Sequence, residues 1–232
     1  MFPFPVQWQT METKITWLGH ASFLVESENV RILLDPYRAP DAGDYQAIDV
    51  DADVVVVSHI NPRYHSHWQA ARGNPIHLNG LDFAHTPAGV TVHGIVFRAV
   101  RVWESTARDV PITMPYFTVG GLRVCHMGDL GHPLSPAEAA PVAGCDVLLA
   151  VAGGPPTLPL PDLRSTIEQI APRIIIPMHY QTGRVNLPLA PLPTVLDALA
   201  GIPTKHALSS TVTLSPQTLP AQTTLLVLPP AL

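Results

Sequence analysis

The sequence predicts a mixed α/β fold in a single domain, and three observations carry that reading. Short β-branched runs dominate the first half of the chain, strand and helix patterns alternate in the second half, and no repeat or linker divides the 232 residues. A chain of this length is enough for one large core. Hydrophobic residues make up 47% of it and charged residues only 13%. Even so, no window approaches the roughly 18 unbroken apolar residues of a membrane helix. The N-terminus lacks the basic and apolar regions of a signal peptide, so the expectation is a cytoplasmic protein without a membrane partner. Net charge is −5, with no Lys/Arg cluster, which argues against a nucleic-acid surface. The two cysteines, Cys125 and Cys145, lie in apolar sequence without a CxxC pattern and read as buried free thiols. The 26 prolines are spread between apolar runs and read as loop stiffeners.

In order, residues 1–12 show no period and read as an N-terminal arm on a domain spanning residues 1–232. Residues 14–18, 22–27 and 30–34 alternate or are β-branched, with a turn at Glu28-Asn29, which predicts an antiparallel start. The chain leaves it through Asp35-Pro36-Tyr37 and a polar loop to about residue 51. Residues 54–58 have no polar side chain before Ser58, as suits a strand buried on both faces. Residues 67–72 read as a short helix ended by Gly73-Asn74-Pro75. Residues 90–102 hold two strand-like runs, and residues 116–124 form a hairpin about Gly120-Gly121. Ser135-Pro136-Ala137-Glu138 has the capping-box pattern with Pro at the first helical position, so a helix starts there. Residues 145–151 read as a buried strand. Leu163, Ile167 and Ile170 share one face of a helix that runs into a strand at Ile174. A last helix covers residues 194–199, and short strands follow over 204–228.

Three of these apolar strands end in chemistry. Residues 54–57 run into Ser58-His59, residues 121–125 into His126-Met127-Gly128-Asp129-Leu130-Gly131-His132, and residues 174–177 into Met178-His179-Tyr180. A rigid strand fixes the direction of the side chain at its end, and His with Asp is a metal-ligand set. These ends therefore read as one site.

With Trp17-Leu18-Gly19-His20-Ala21-Ser22-Phe23, Leu34-Asp35-Pro36-Tyr37 and Gly153-Gly154, these motifs span most of the chain. Their order resembles the metallo-β-lactamase superfamily. Within it the sequence is similar to the branch of L-ascorbate-6-phosphate lactonase and related metal-dependent hydrolases. The resemblance implies a four-layer αβ/βα sandwich with a metal site at one edge of the paired sheets. By position it implies that His59 is the first ligand of a metal-binding loop, Asp129 the bridging carboxylate and His179 the last histidine. The rest of the loop departs from the family's pattern. Asn61, Arg63 and Tyr64 stand where the pattern has His, Asp and His, and the loop runs one residue longer. Alignment from the Gly73 end brings His65 to the third histidine, and Glu104 takes the place of a further one.

These losses imply one divalent ion rather than two. Zinc suits a His/Asp/Glu set, and manganese or iron(II) suits one richer in oxygen. The implied ligands are His59, His65, Asp129, His179 and Glu104, with Asp129 also the catalytic proton acceptor. His20, Asp35, Asn61, Arg63 and His132 are expected to orient ligands or face substrate. The charge of Arg63 suggests an anionic small-molecule substrate. The implied activity is hydrolysis of an ester, lactone or phosphorylated small molecule by metal-activated water. The alternative is a degenerate member, without metal, that binds a small anion or a partner through the old cleft. His77, His85, His93 and His206 match no motif, and His126 reads as a satisfied buried residue. Nothing in the sequence points to an oligomeric state.

Overall fold

A computed structural model describes residues 11–27 and 30–232. The turn predicted at Glu28-Asn29 and the first ten residues of the predicted arm lie outside the described residues. The antiparallel start is formed by β1 (Thr13–Gly19), β2 (Ser22–Ser27) and β3 (Val30–Leu34). Alternation sends Ile15, Trp17, Phe23, Val25 and Ile32 into the core. After the short β4 (Val50–Asp51), β5 (Val54–Val57) lies parallel to β3 with all four valines buried. Next come β6 (Ala71–Arg72), β7 (Ile76–Asn79) and α1 (Gly80–Phe83).

The second half begins with β8 (Val90–Val92), β9 (Ile95–Trp103), β10 (Pro111–Val119) and β11 (Leu122–His126), all antiparallel neighbours. The β10–β11 turn is made by Gly120 and Gly121, both at positive φ (55° and 75°), where a Cβ would be strained. Helix α2 (Pro136–Ala139) opens with both hydrogen bonds of the Ser135/Glu138 capping box. Parallel strands β12 (Val147–Val151) and β13 (Ile174–Met178) follow, joined by α3 (Leu160–Ile170), which buries Leu163, Thr166, Ile167 and Ile170. After α4 (Leu192–Ala198) come β14 (Thr204–His206), β15 (Thr211–Leu214) and β16 (Thr224–Val227).

One sheet has the order β15-β1-β2-β3-β5-β7 and the other β14-β16-β13-β12-β11-β10-β9-β8. Their facing side chains, among them Phe23, Val56, Phe97, Phe117, Leu149 and Ile176, form the larger core. Each such buried side chain contributes about 1.5–3 kcal/mol relative to exposure. The result is the mixed α/β sandwich expected, with few helices. The outer face of the first sheet is covered mainly by loops, through Tyr37, Tyr45, Ile48, Val185 and Leu189.

The helix expected over residues 67–72 is a correction. Only Trp68–Ala70 turn, as a 3₁₀ segment, and Ala71–Arg72 are extended as β6 paired with β4. The Arg72 guanidinium bonds Asp51 and Asp49 and holds that segment in the strand. Among the described residues no helix is long and apolar enough to cross a membrane. Parallel pairing of β3 with β5, and of β11, β12 and β13, puts several strand C-termini on one edge. Asp35, Ser58, His59, Asp129 and His179 all follow such ends, and His20 sits in the β1–β2 turn beside them.

Candidate metal centre

The centre is built outward from Asp35. Its backbone sits at φ 40° just past β3, and its carboxylate is buried. Oδ1 accepts from the Ser58 N–H at 2.6 Å, while Oδ2 accepts from the Ser58 hydroxyl at 2.6 Å and from His65 Nδ1 at 2.9 Å. These bonds decide the proton positions on both histidines. Ser58 has one hydroxyl proton, given to Asp35, so its oxygen accepts from His59 Nδ1 at 3.0 Å. His59 is thus the Nδ1–H tautomer, with its Nε2 lone pair free. Burial pushes the His59 pKa down to about 4, with the charge of His65 adding to it, so the ring is neutral at physiological pH.

His65 donates Nδ1–H to Asp35, which turns its Nε2 inward. That nitrogen lies 2.7 Å from Asp129 Oδ2, yet the approach is too oblique for a hydrogen bond. His59 Nε2, His65 Nε2 and Asp129 Oδ1 are all buried without a hydrogen-bond partner. One ligand atom from each of His59, His65 and Asp129 falls within 4.8 Å of the others. Without a metal, burial lowers the His65 pKa, but the charge of Asp129, with the hydrogen bond and charge of Asp35, outweighs it and raises the pKa to about 10. Burial raises the Asp129 carboxyl, and the surrounding His65 and His179 overturn that and hold it well below the usual carboxylate range. The donor set fits one divalent ion: two imidazole nitrogens and a carboxylate oxygen, converging and unpartnered, with a carboxylate behind His65 to orient it.

On the other side of Asp129, His179 follows β13 at φ 53° and is anchored by its N–H to the His20 carbonyl at 3.0 Å. Its Nε2 is 3.7 Å from Asp129 Oδ1, and it stands outside the three-residue cluster. The His20 ring meets the His179 ring edge-on, with centroids 4.5 Å apart, and Tyr64 stacks on His20 at 5.6 Å. Neither His20 nitrogen has a partner, and burial holds its pKa well below the ordinary value.

Several residues predicted for the site take other places. Asn61 acts through its main chain: its carbonyl accepts from Tyr64, His65 and Ser66, closing the turn that swings His65 inward. Arg63 is turned outward, 64% exposed, with Nε 3.6 Å from Asp41. His132 is bound to the main chain through both ring nitrogens. Its Nδ1 donates to the Pro133 carbonyl and its Nε2 accepts from the Trp103 N–H, so it pins the end of β9. Glu104, one residue beyond that end, is partly buried and close enough to feel Asp129, but lies outside the cluster. His126 is fully satisfied, as expected: Nε2 donates to the Ala21 carbonyl and Nδ1 accepts from the Gly128 N–H. The role of Ser58 is not foreseen by the sequence reading. Its only signal there is its position between a buried strand and His59. Both cysteines are free and buried, as expected.

The pattern of the β-lactamase superfamily domain matches residues 14–179, a stretch that includes every residue of the centre from His20 to His179. This chain belongs to the metallo-β-lactamase superfamily. Its relatives within it include UPF0173 proteins. One from Pyrococcus furiosus is 33% identical over 181 residues, covering 73% of this chain and 84% of that protein. A UPF0173 metal-dependent hydrolase of Carboxydothermus hydrogenoformans is 29% identical over 202 residues, with 74% and 86% covered. Among solved structures, a Thermotoga maritima protein assigned to the Zn-dependent hydrolases of the superfamily aligns with TM-score 0.70 and 30% identity. The alignment covers 93% of this chain and 98% of that one.

Proposed function

We propose that this protein is a hydrolase that uses one divalent ion, zinc by its donor set, on a small-molecule ester or lactone. The 2.7 Å approach of His65 Nε2 to Asp129 Oδ2 carries the reading. With Nδ1–H committed to Asp35, a neutral His65 points a lone pair at a carboxylate, and two acceptors so close require a cation beside them. A proton meets that need in the metal-free protein. The unpartnered His59 Nε2 alongside supports a metal ion in its place. The description of the relatives as metal-dependent hydrolases supports the same choice.

When bound, such an ion polarises a carbonyl and lowers the pKa of water to about 7. The remaining work falls to this chain. Ser58 and Asp35 hold His59 and His65 in the tautomers that leave Nε2 free. Asp129 Oδ1, aimed inward without a partner, is placed to take a proton from a water in the site. His179 Nε2, beside the same oxygen, is placed to receive it next or to orient the leaving group. Tyr64 and His20 form an aromatic wall that keeps bulk water from that side.

Elemental analysis of protein purified without added metal, and again after exposure to Zn²⁺ or Mn²⁺, tests the reading. The expected result is about one ion per chain, lost in Asp129→Ala and in His65→Ala, with turnover of aryl esters or lactones following the metal. Substitution at the places of Asn61, Arg63 and Glu104 favours a second reading, a member that has given up metal and catalysis. No ion under either condition would decide for that one.

A further inference from the structure

The charge around the centre is one-sided. Arg63, the guanidinium that sequence position places in the loop, is spent on Asp41 at the surface. Arg101 is laid against Trp103, 5.0 Å from the ring centroid. Neither reaches Glu104. Among the described residues the Glu104 carboxylate makes no hydrogen bond and no ion pair, although it is partly buried and feels the charge of both Asp129 and His65. Its main chain is firmly held. Glu104 N–H donates to the Val110 carbonyl at 3.0 Å, and the neighbouring Trp103 accepts from Gly131 N–H at 3.0 Å and donates to His132 at 3.2 Å. The main chain of Glu104 is thus fixed beside the loop that carries Asp129, and among the described residues no Lys or Arg pairs with its carboxylate.

Close by, His59 Nε2 and Asp129 Oδ1 are both buried and unpartnered, so the centre is prepared to receive a ligand. Exposed apolar side chains adjoin it in the chain: Ile60, next to His59, is 54% exposed, and Val110, whose carbonyl holds the Glu104 N–H, is 41% exposed. Even with a divalent ion in place, the three carboxylates Asp35, Asp129 and Glu104 outnumber its charge. An incoming anion meets net repulsion there, and an incoming cation finds an unpaired carboxylate already partly desolvated.

We propose that Glu104 binds a positively charged group of the substrate, an ammonium or guanidinium on an apolar body, so that the site takes cationic esters and rejects anionic ones. This rests on the hydrolase reading for its reaction but not for its binding. It also reverses the anionic preference that Arg63 suggests in the sequence alone.

The test uses three probes with one body and different charge: 4-phenylbutylammonium, 4-phenylbutanol and 4-phenylbutyrate, titrated calorimetrically into zinc-loaded and metal-free protein. The ammonium should bind about tenfold more tightly than the alcohol, the scale of one charge-assisted contact, and the carboxylate most weakly in the metal-free protein. Glu104→Gln should erase the preference for the ammonium with zinc content unchanged, Glu104→Lys should invert the ranking, and Arg63→Ala should leave it as it is. Tightest binding of the carboxylate in metal-free protein, no binding of the ammonium, or an unaltered ranking in Glu104→Gln would overturn the proposal. So would loss of zinc in Glu104→Gln, which would make Glu104 a ligand instead. Charge-ranked aryl esters separate the two readings: a ranking in binding with no turnover of any ester overturns the hydrolase and leaves the Glu104 assignment standing.

Discussion

The two sides of Asp129 are built on different principles. On one side, Asp35, Ser58, His59 and His65 are tied together by hydrogen bonds of 2.6–3.0 Å, and each ring has one nitrogen committed and one left over. On the other, His20 and His179 are held by ring contacts and by main-chain bonding, with both His20 nitrogens and His179 Nδ1 unpartnered. Hydrogen bonding decides where a proton sits and so which lone pair is offered. Stacking fixes only where the ring is. The wired side therefore offers lone pairs in fixed directions, while the stacked side fixes only where its rings lie.

Breaking the wired side should have the largest effect. Asp35→Ala removes the acceptor for Ser58 and His65 and leaves buried charge uncompensated, so a loss of about 3–5 kcal/mol is expected in urea denaturation. Metal affinity should fall about 10–100-fold in the same variant, because His65 loses its orienting carboxylate. A comparable change on the stacked side should do neither.

Proton linkage in the metal-free protein sharpens the contrast. The His65 pKa is raised to about 10 from an ordinary 6.5, so its stabilisation is complete below pH 6.5 and is lost as pH rises towards 10. His59 is depressed to about 4 from 6.5, and His20 and His179 are also depressed, so the unfolded chain takes up protons first as pH falls below 6.5. Asp35 and Asp129, held low, add their own loss of stability in stronger acid. These groups together place maximum stability near the ordinary histidine value of 6.5. Denaturation in EDTA across pH 4–10 should trace that maximum. Added zinc should stabilise progressively more above it, because the ligand nitrogens must be unprotonated.

A smaller effect is expected from Ser58→Ala, which takes one hydroxyl out of the wiring and leaves the His59 tautomer undetermined: about 1–3 kcal/mol of stability, with weaker zinc binding in a metal-competition assay. His20→Phe should change least. The histidine makes no hydrogen bond through its ring, so an apolar ring of similar shape should alter stability by no more than about 1 kcal/mol. Zinc content should stay at the wild-type level. Zinc lost in His20→Phe but kept in Ser58→Ala would reverse the comparison.

Much of the fold was legible because its signals are local. The valine run of β5, the Ser135 capping box and the Leu163/Ile167/Ile170 face each occupy neighbouring positions, and each formed as its pattern predicts. The misread segment at residues 67–72 depends on a partner 21 positions away, since Arg72 bonds Asp51. In the site, His59, Asp129 and His179 announce themselves at the ends of apolar strands. His65 emerges only by counting back from Gly73, because the Asn61 carbonyl turn that directs it leaves no side-chain signature. Arg63 looked like a site cation until its contact with Asp41 turned it to the surface.

Sequence alone determined which chemical groups this chain has at its strand ends and which class of sandwich carries them, because period, β-branching and motif order are written residue by residue. Tertiary structure decided which of those groups meet and where their protons lie. Asp35 reaches Ser58 and His65 across 23 and 30 positions only through the parallel pairing of β3 with β5 and the closure of the loop beyond. A lone pair is assigned by the neighbour that claims the opposite nitrogen, and that neighbour is a property of the folded chain.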